Sequence, residues 1–311
     1  MVHCIVTELH ARACISPQHV YFAIATRLCC GTTSHIAITV GPPFVPCLDS
    51  LVSWDESISP VVDGNIVTFR GTLNTTGRTV AIKRPRFVYD YSKPGVIQGA
   101  SIWSLLQHEN ILPLFGVVTT FDNTLSTVEE WMVNGNAHDY VQNPRVDPSL
   151  LLLGIAHALR YLHFHAIGPI FHGDVRGYNV LVASDGRALL TGFDSSFAVD
   201  PAFDMVVVPF VSRGTLRWMA PEGFDGGRAT AGRDAWAFAM TALELFSRQI
   251  PFANIRSTQG LIVRILRGKP DRPIRMSDKW WNICTSCWEF DPGLRPDMMA
   301  IVSKIEEVNI L

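Results

Sequence analysis

The chain has 311 residues, with 26 Lys plus Arg against 28 Asp plus Glu and a formal charge of −2, so no field of one sign exists to attract nucleic acid or an anionic membrane surface. That length suits one large domain or two small ones, because single hydrophobic cores stop growing near roughly 250–300 residues. Seven cysteines, five of them before residue 50, form no short, even-numbered disulfide framework, and in a chain of this size they read as reduced thiols of a cytoplasmic protein.

Residues 1–56 are expected to be a poorly ordered extension or an accessory strand. The stretch 28–48 holds no Asp, Glu, Lys or Arg, but Gly31, His35, Gly41, Pro42, Pro43 and Pro46 break the apolar run that a membrane span needs. Glu8, His10 and Arg12 likewise interrupt the place where a signal peptide would be apolar.

From residue 57 the pattern becomes regular. NIVTFRGTLNTTGRTVAIK alternates apolar and polar residues around a turn at Asn74–Gly77, which predicts two strands. GVIQGASIWSLLQHEN then has a helical stripe (Ile102, Leu105, Leu106) that stops before Pro113 and leads into further strands. After Asn134-Gly135-Asn136 the character changes. Asp147-Pro148 predicts a helix start, with Asp as the cap and Pro at the first helical position, and LLLGIAHALRYLHFH, DAWAFAMTALELFSR and DKWWNICTSCWEF all read as helices. Cys284 and Cys287 form a CxxC, but it lies in an amphipathic helical pattern with no second Cys/His pair nearby, so helix packing is the reading adopted.

Residues 160–194 hold the densest chemistry. Asp174 is followed five residues later by Asn179, with Arg176 between them and the β-type run NVLV after. Elsewhere stand Val80-Ala81-Ile82-Lys83, Gly214-Thr215-Leu216-Arg217-Trp218-Met219-Ala220-Pro221-Glu222, Asp234-Ala235-Trp236-Ala237-Phe238 and Leu294-Arg295-Pro296. This ordered set resembles the eukaryotic protein kinase domain over roughly residues 57–308, closest to the tyrosine-kinase-like group and to fungal relatives with His-Gly-Asp in the catalytic loop.

The resemblance implies an α+β, bilobal fold with a small β-rich N-lobe, about 57–133, and a larger α-helical C-lobe, about 134–308. It implies ATP and magnesium as cofactors, with a protein as partner or substrate. Asp174 would position the attacking hydroxyl, Arg176 would be the basic residue of the loop, and Asn179 would hold metal. Lys83 would contact the α- and β-phosphates, Gly64 is the glycine nearest the phosphate loop, and Val128, Trp131 and Met132 would flank the adenine pocket. His172 and Phe193 fit apolar packing positions, Asp234 a buried helix beneath the catalytic loop, and Glu222 with Arg295 a structural ion pair.

Several positions depart from the family's pattern. Where three glycines should cover the phosphates, the aligned positions fall near Val61, Asp63 and Ile66. The helix Glu that should orient Lys83 is Gly99, so Lys83 is expected to lack its partner unless an acid elsewhere replaces it. The metal-binding Asp is Gly192, with Asp194 two residues on; in an extended segment it would lie roughly 6–7 Å along the strand. Glu129 and Glu130 fall at the gate of the adenine pocket, where a buried carboxylate is costly unless paired. Gly173 replaces an Arg that would grip a phosphate on Ser195, Ser196, Ser212 or Thr215.

Three readings follow. One is a pseudokinase acting as a nucleotide- and protein-binding module. Another is a working Ser/Thr or Tyr kinase in which Asp194 holds the metal. The third is a small-molecule phosphotransferase, which also uses His-Gly-Asp with Asn five residues on but does not account for WMAPE, DAWAFAM or LRP.

Overall fold

The computed structural model describes residues 13–16, 19–22, 45–54, 57–63, 66–85, 94–119, 124–198, 215–226 and 229–309. Strands β1 (Ala13–Ser16), β2 (His19–Phe22) and β3 (Val45–Pro46) form a small antiparallel sheet. A six-stranded sheet follows, made by β4 (Val52–Trp54), β5 (Val61–Asp63), β6 (Ile66–Leu73), β7 (Arg78–Pro85), β8 (Leu114–Val118) and β9 (Ser126–Glu130) in the order β4-β6-β7-β9-β8, with β5 also pairing β6. Strand β4 pairs with β6, and Leu48 N–H donates to Val117 O at 2.8 Å, so residues upstream of 57 are built into this lobe. Asp49 strengthens the join by accepting from the Thr119 N–H at 2.6 Å and its hydroxyl at 2.7 Å.

The hairpin between β6 and β7 turns where Asn74–Gly77 predicts it. Gly77 takes φ +69°, a conformation that costs a residue with a Cβ, and its N–H donates to Leu73 O at 2.8 Å. Alternation along β7 and β9 sends Val80, Ile82 and Val128 into the lobe's core with Leu48, Val52 and Val118. Ala81, Lys83 and Glu129 take the opposite face. Helix α1 (Pro94–Ser104) ends earlier than its apolar stripe suggests, and Leu106 is buried beyond its last turn.

The second lobe contains α2 (Ala137–Tyr140), α3 (Ser149–His163), β10 (Ile170–Phe171), β11 (Val180–Val182), β12 (Ala188–Leu190), β13 (Phe197–Ala198), α4 (Ala231–Ser247), α5 (Thr258–Leu266), α6 (Asp278–Cys287) and α7 (Met298–Asn309). Asp147 caps α3 by accepting the Ser149 N–H at 2.9 Å, while the helix itself begins one residue after Pro148, so the expected start shifts by one position. Helix α4 is the centre of the lobe: every residue from Asp234 to Phe246 is buried. Each fully buried Leu, Ile or Phe contributes roughly 1.5–3 kcal/mol, so this helix can carry two charged residues, Asp234 and Glu244, in its interior.

Cys284 and Cys287 are buried in α6, where burial pushes both thiols up, Cys287 to about 12. Protonated thiols are poor nucleophiles and metal ligands. Among the described residues, no three His, Cys, Asp or Glu gather to hold a metal ion, and no helix is long and apolar enough to cross a membrane.

Candidate active site

The catalytic-loop segment is held from below by α4. Asp234 is 1% exposed and accepts from the His172 N–H at 2.8 Å, the Gly173 N–H at 2.9 Å and His163 Nε2 at 3.0 Å. Burial pushes its carboxyl up, but the His163 hydrogen bond and charge, His172 and the Gly173 amide outweigh that and hold it below the usual carboxylate range. His172 is fully buried, reaches Thr191 O at 3.0 Å and meets the Phe193 ring edge-on at 4.9 Å. Burial pushes its imidazole down, against Asp234, Asp174 and the Thr191 carbonyl. Phe193 then stacks at 5.3 Å on Trp103 of α1, whose indole N–H donates to Leu112 O at 2.6 Å. The two packing roles expected of His172 and Phe193 therefore join in one column between the lobes.

Asp174, Arg176 and Asn179 come together on this base. Asp174 Oδ2 accepts from Asn179 Nδ2 at 2.7 Å and from Arg176 Nε at 3.3 Å, and Asn179 Nδ2 also reaches Asp174 O at 2.8 Å. Asp174 Oδ1 is buried with no protein partner among the described residues. A buried carboxylate oxygen without a donor is costly.

The metal side differs. Gly192 has φ +83° and ψ 48°, and a Cβ built on it would stand 2.7 Å from Asn179 Cγ and 2.8 Å from Asn179 Oδ1. Asn179 has filled the space that a side chain at 192 would need. Residues 193–195 form a 3₁₀ turn, not the extended segment expected, so Asp194 advances only about 2 Å per residue and stays in the cleft. Its side chain is open to solvent on one side. Enclosure by the cleft walls pushes its carboxyl up, opposed by Lys83 and reinforced by Asp174 and Glu129.

Lys83 has a partner after all. Its Nζ lies 2.5 Å from Oε1 of Glu129, which is fully buried, and Thr191 Oγ1 donates to Glu129 Oε2 at 2.8 Å while receiving Lys83 Nζ at 3.4 Å. Oε1 makes no aligned hydrogen bond, so its contact with Lys83 is an ion pair held by charge. Gly99 could not have supplied the carboxylate: a Cβ there would meet Phe193 O at 2.5 Å, so α1 rests its backbone on the 193–195 turn.

Other expected residues fall as follows. Val128 is 0% exposed in the small lobe's core, on the face of β9 opposite Glu129, and is not a lining residue; strand alternation excludes it. Trp131 N–H donates to Thr79 O at 3.2 Å under Arg70, and Met132 packs towards the large lobe. Gly64 lies outside the described residues. Val61 and Asp63 are paired in β5 with Thr68 and Ile66 of β6.

Arg295 holds Glu222 through two bonds of 2.6 and 2.9 Å and also donates to three carbonyls. The arginine is fully buried; the glutamate is 30% exposed, so one end of the pair reaches water. Sequence reasoning missed Glu244, a fully buried residue of α4 that accepts from Gly177 N–H at 2.9 Å and Trp218 Nε1 at 2.8 Å and pairs with His138 at 2.7 Å. An acid inside an apolar helix was the available signal.

The profile of the protein tyrosine and serine/threonine kinase family matches residues 58–305. Human mitogen-activated protein kinase kinase kinase 11 is 27% identical over 282 residues, covering 86% of this chain and 32% of that protein. Drosophila melanogaster mitogen-activated protein kinase kinase kinase 7 is 28% identical over 213 residues, 66% of this chain and 30% of that protein. Cytokinesis protein sepH of Aspergillus terreus is 28% identical over 224 residues, 71% of this chain and 16% of that protein. The chain thus spans between 16% and 32% of the length of these relatives. A match running from just before β5 of the small lobe into α7, the last helix of the large one, makes this chain a member of the protein tyrosine and serine/threonine kinase family.

Proposed function

We propose that residues 57–308 form a nucleotide- and protein-binding kinase domain of the cytoplasm whose phosphoryl transfer is weak or absent. The observation that carries this is Gly192. The family generally uses ATP with magnesium, one ion held by a carboxylate at this position and one by the catalytic-loop Asn. Here position 192 has no carboxylate and Asn179 stands where the Cβ of one would be, so the residues present do not make the pair of metal sites. Lys83 stays oriented towards the cleft, which supports retained nucleotide binding. Asp174 keeps its place in the loop beside Asn179 and Arg176, which supports retained contact with a hydroxyl-bearing substrate. If each lost electrostatic contact costs on the order of 10²–10³ in rate, the missing carboxylate and glycine loop together bring transfer near background.

A second reading is favoured by Asp194, which shares the cleft with Lys83, Asp174 and Glu129 and could serve a metal from a neighbouring turn. Phosphate transfer from magnesium or manganese ATP, run beside Asp174→Ala, separates the two. Equal counts are expected; transfer that disappears with Asp174 overturns the proposal. Thermal unfolding with and without ATP tests binding, since ligand at 100 times its dissociation constant adds roughly 2.7 kcal/mol.

A further inference from the structure

We infer that Glu129 has taken over from α1 the positioning of Lys83, so that the phosphate-facing ammonium is set within one sheet, independently of where α1 sits. In kinases the corresponding lysine pairs with a helix carboxylate, and the helix position decides whether the pair exists. Helix α1 of this chain contains no Asp or Glu along its whole length, Pro94–Ser104. Position 99, where the carboxylate would stand, is closed by Phe193 O.

The replacement comes from the neighbouring strand. In the antiparallel ladder of β7 and β9, Ala81 pairs with Glu129 and Lys83 with Thr127. Lys83 and Glu129 are therefore diagonal neighbours on one face, a separation of roughly 7–8 Å between backbones that two long side chains bridge. Backbone hydrogen bonds fix that register, and moving α1 does not change it. Thr191, one residue past β12, donates to Oε2 of Glu129, the oxygen not in contact with Lys83, and fixes its rotamer from the large lobe. Glu129 is fully buried, so the carboxylate has no water to turn to. The ion pair at 2.5 Å is then a permanent feature of the sheet rather than one made and broken by a swinging helix. Glu129 is a positioning residue, acting on nucleotide only through Lys83.

The inference takes its functional meaning from the proposed nucleotide role of Lys83, but its test needs neither nucleotide nor transfer, so the two fail separately. The full chain, free of nucleotide, is acylated with an amine-reactive succinimidyl ester, and the rate at Lys83 is read by mass spectrometry against that at exposed Lys279. In Glu129→Gln the Lys83 rate is expected to rise about tenfold, equivalent to losing roughly 1.4 kcal/mol of ion pairing. Glu129→Asp should bring most of the protection back. Ile102→Val, which loosens α1 from the core, should lower the melting temperature and leave the Lys83 rate unchanged, an outcome that a general loss of structure does not give. Should Glu129→Gln fail to fold, Thr191→Val, which removes only the bridging hydroxyl, is expected to raise the Lys83 rate several-fold. Equal Lys83 rates in the native chain and in Glu129→Gln, or in Thr191→Val where that variant stands in, overturn the inference, as does an Ile102→Val rate that rises as far as that of Glu129→Gln.

Discussion

On the α4 side of the cleft, each charged residue is held several times over. Asp234 receives three donors, Glu244 meets three, and Arg295 spends its guanidinium on one carboxylate and three carbonyls. On the metal side, the position that should carry a carboxylate has no side chain, and the next acid along the chain, Asp194, stands open to solvent. The first set supports the architecture from inside a packed lobe, so losing any one member leaves an unpaired buried charge or amide. The second set stands at an open surface and supports little of the packing. A kinase fold can therefore lose its metal carboxylate and keep its shape.

The sharpest way to break that contrast is Asp234→Ala. It strands the buried His172 N–H, the part-buried Gly173 N–H and His163, and should cost about 3–5 kcal/mol in urea unfolding, as breaking a buried charged network does. Its pH dependence is also fixed. The folded-state pKa of Asp234 is depressed below 3.8, so its stabilising contribution is complete above that value and is lost as pH falls through the lower folded one. The native chain should lose stability over that acid window by more than the variant does. Equal unfolding midpoints for the two proteins at neutral pH would mean that the loop does not rest on α4.

Gly192→Asp tests the other side. Asp in a left-handed conformation costs of order 1 kcal/mol, and the new Cβ must displace Asn179 from its bonds to Asp174. A loss of about 1–2 kcal/mol is expected, with transfer still near background because the glycine loop is also missing. A rise in transfer of about 10²–10³ over the native chain would instead make position 192 the sole defect.

How much of this could be read in the sequence follows from the range of each interaction. The β6–β7 hairpin and the start of α3 are local matters of alternation, a turn glycine and a capping Asp, and they appear within a residue of where they are expected. Lys83, Asp174, Asn179, Glu222, Asp234 and Arg295 stand in short motifs whose order identifies the fold. The partner of Lys83 needed the register of β7 against β9, which no local pattern contains; the sequence said only that a carboxylate buried at the gate, Glu129 or Glu130, would be costly unless paired. The role of Glu244 needed three separate segments, at His138, Gly177 and Trp218, brought to one helix. The place of Asp194 turned on backbone conformation alone: a left-handed glycine before it starts a turn where a strand was expected.

The smallest effect belongs to Asp194→Asn, and it decides whether that side chain is a ligand or a bystander. Cleft enclosure and the carboxylates Asp174 and Glu129 raise its pKa in spite of Lys83. An acid whose folded pKa is raised binds its proton better when folded, so stability falls as pH rises from the unfolded value towards the folded one. Asparagine removes that loss. Solvent screening of an open side chain keeps the gain at neutral pH to a few tenths of a kcal/mol, visible as a slightly higher melting temperature without magnesium. The same melts repeated with magnesium ATP make the test two-sided. A bystander leaves the nucleotide-induced shift equal in both proteins, whereas a shift present only with Asp194 gives the metal a carboxylate one turn away from the family's position.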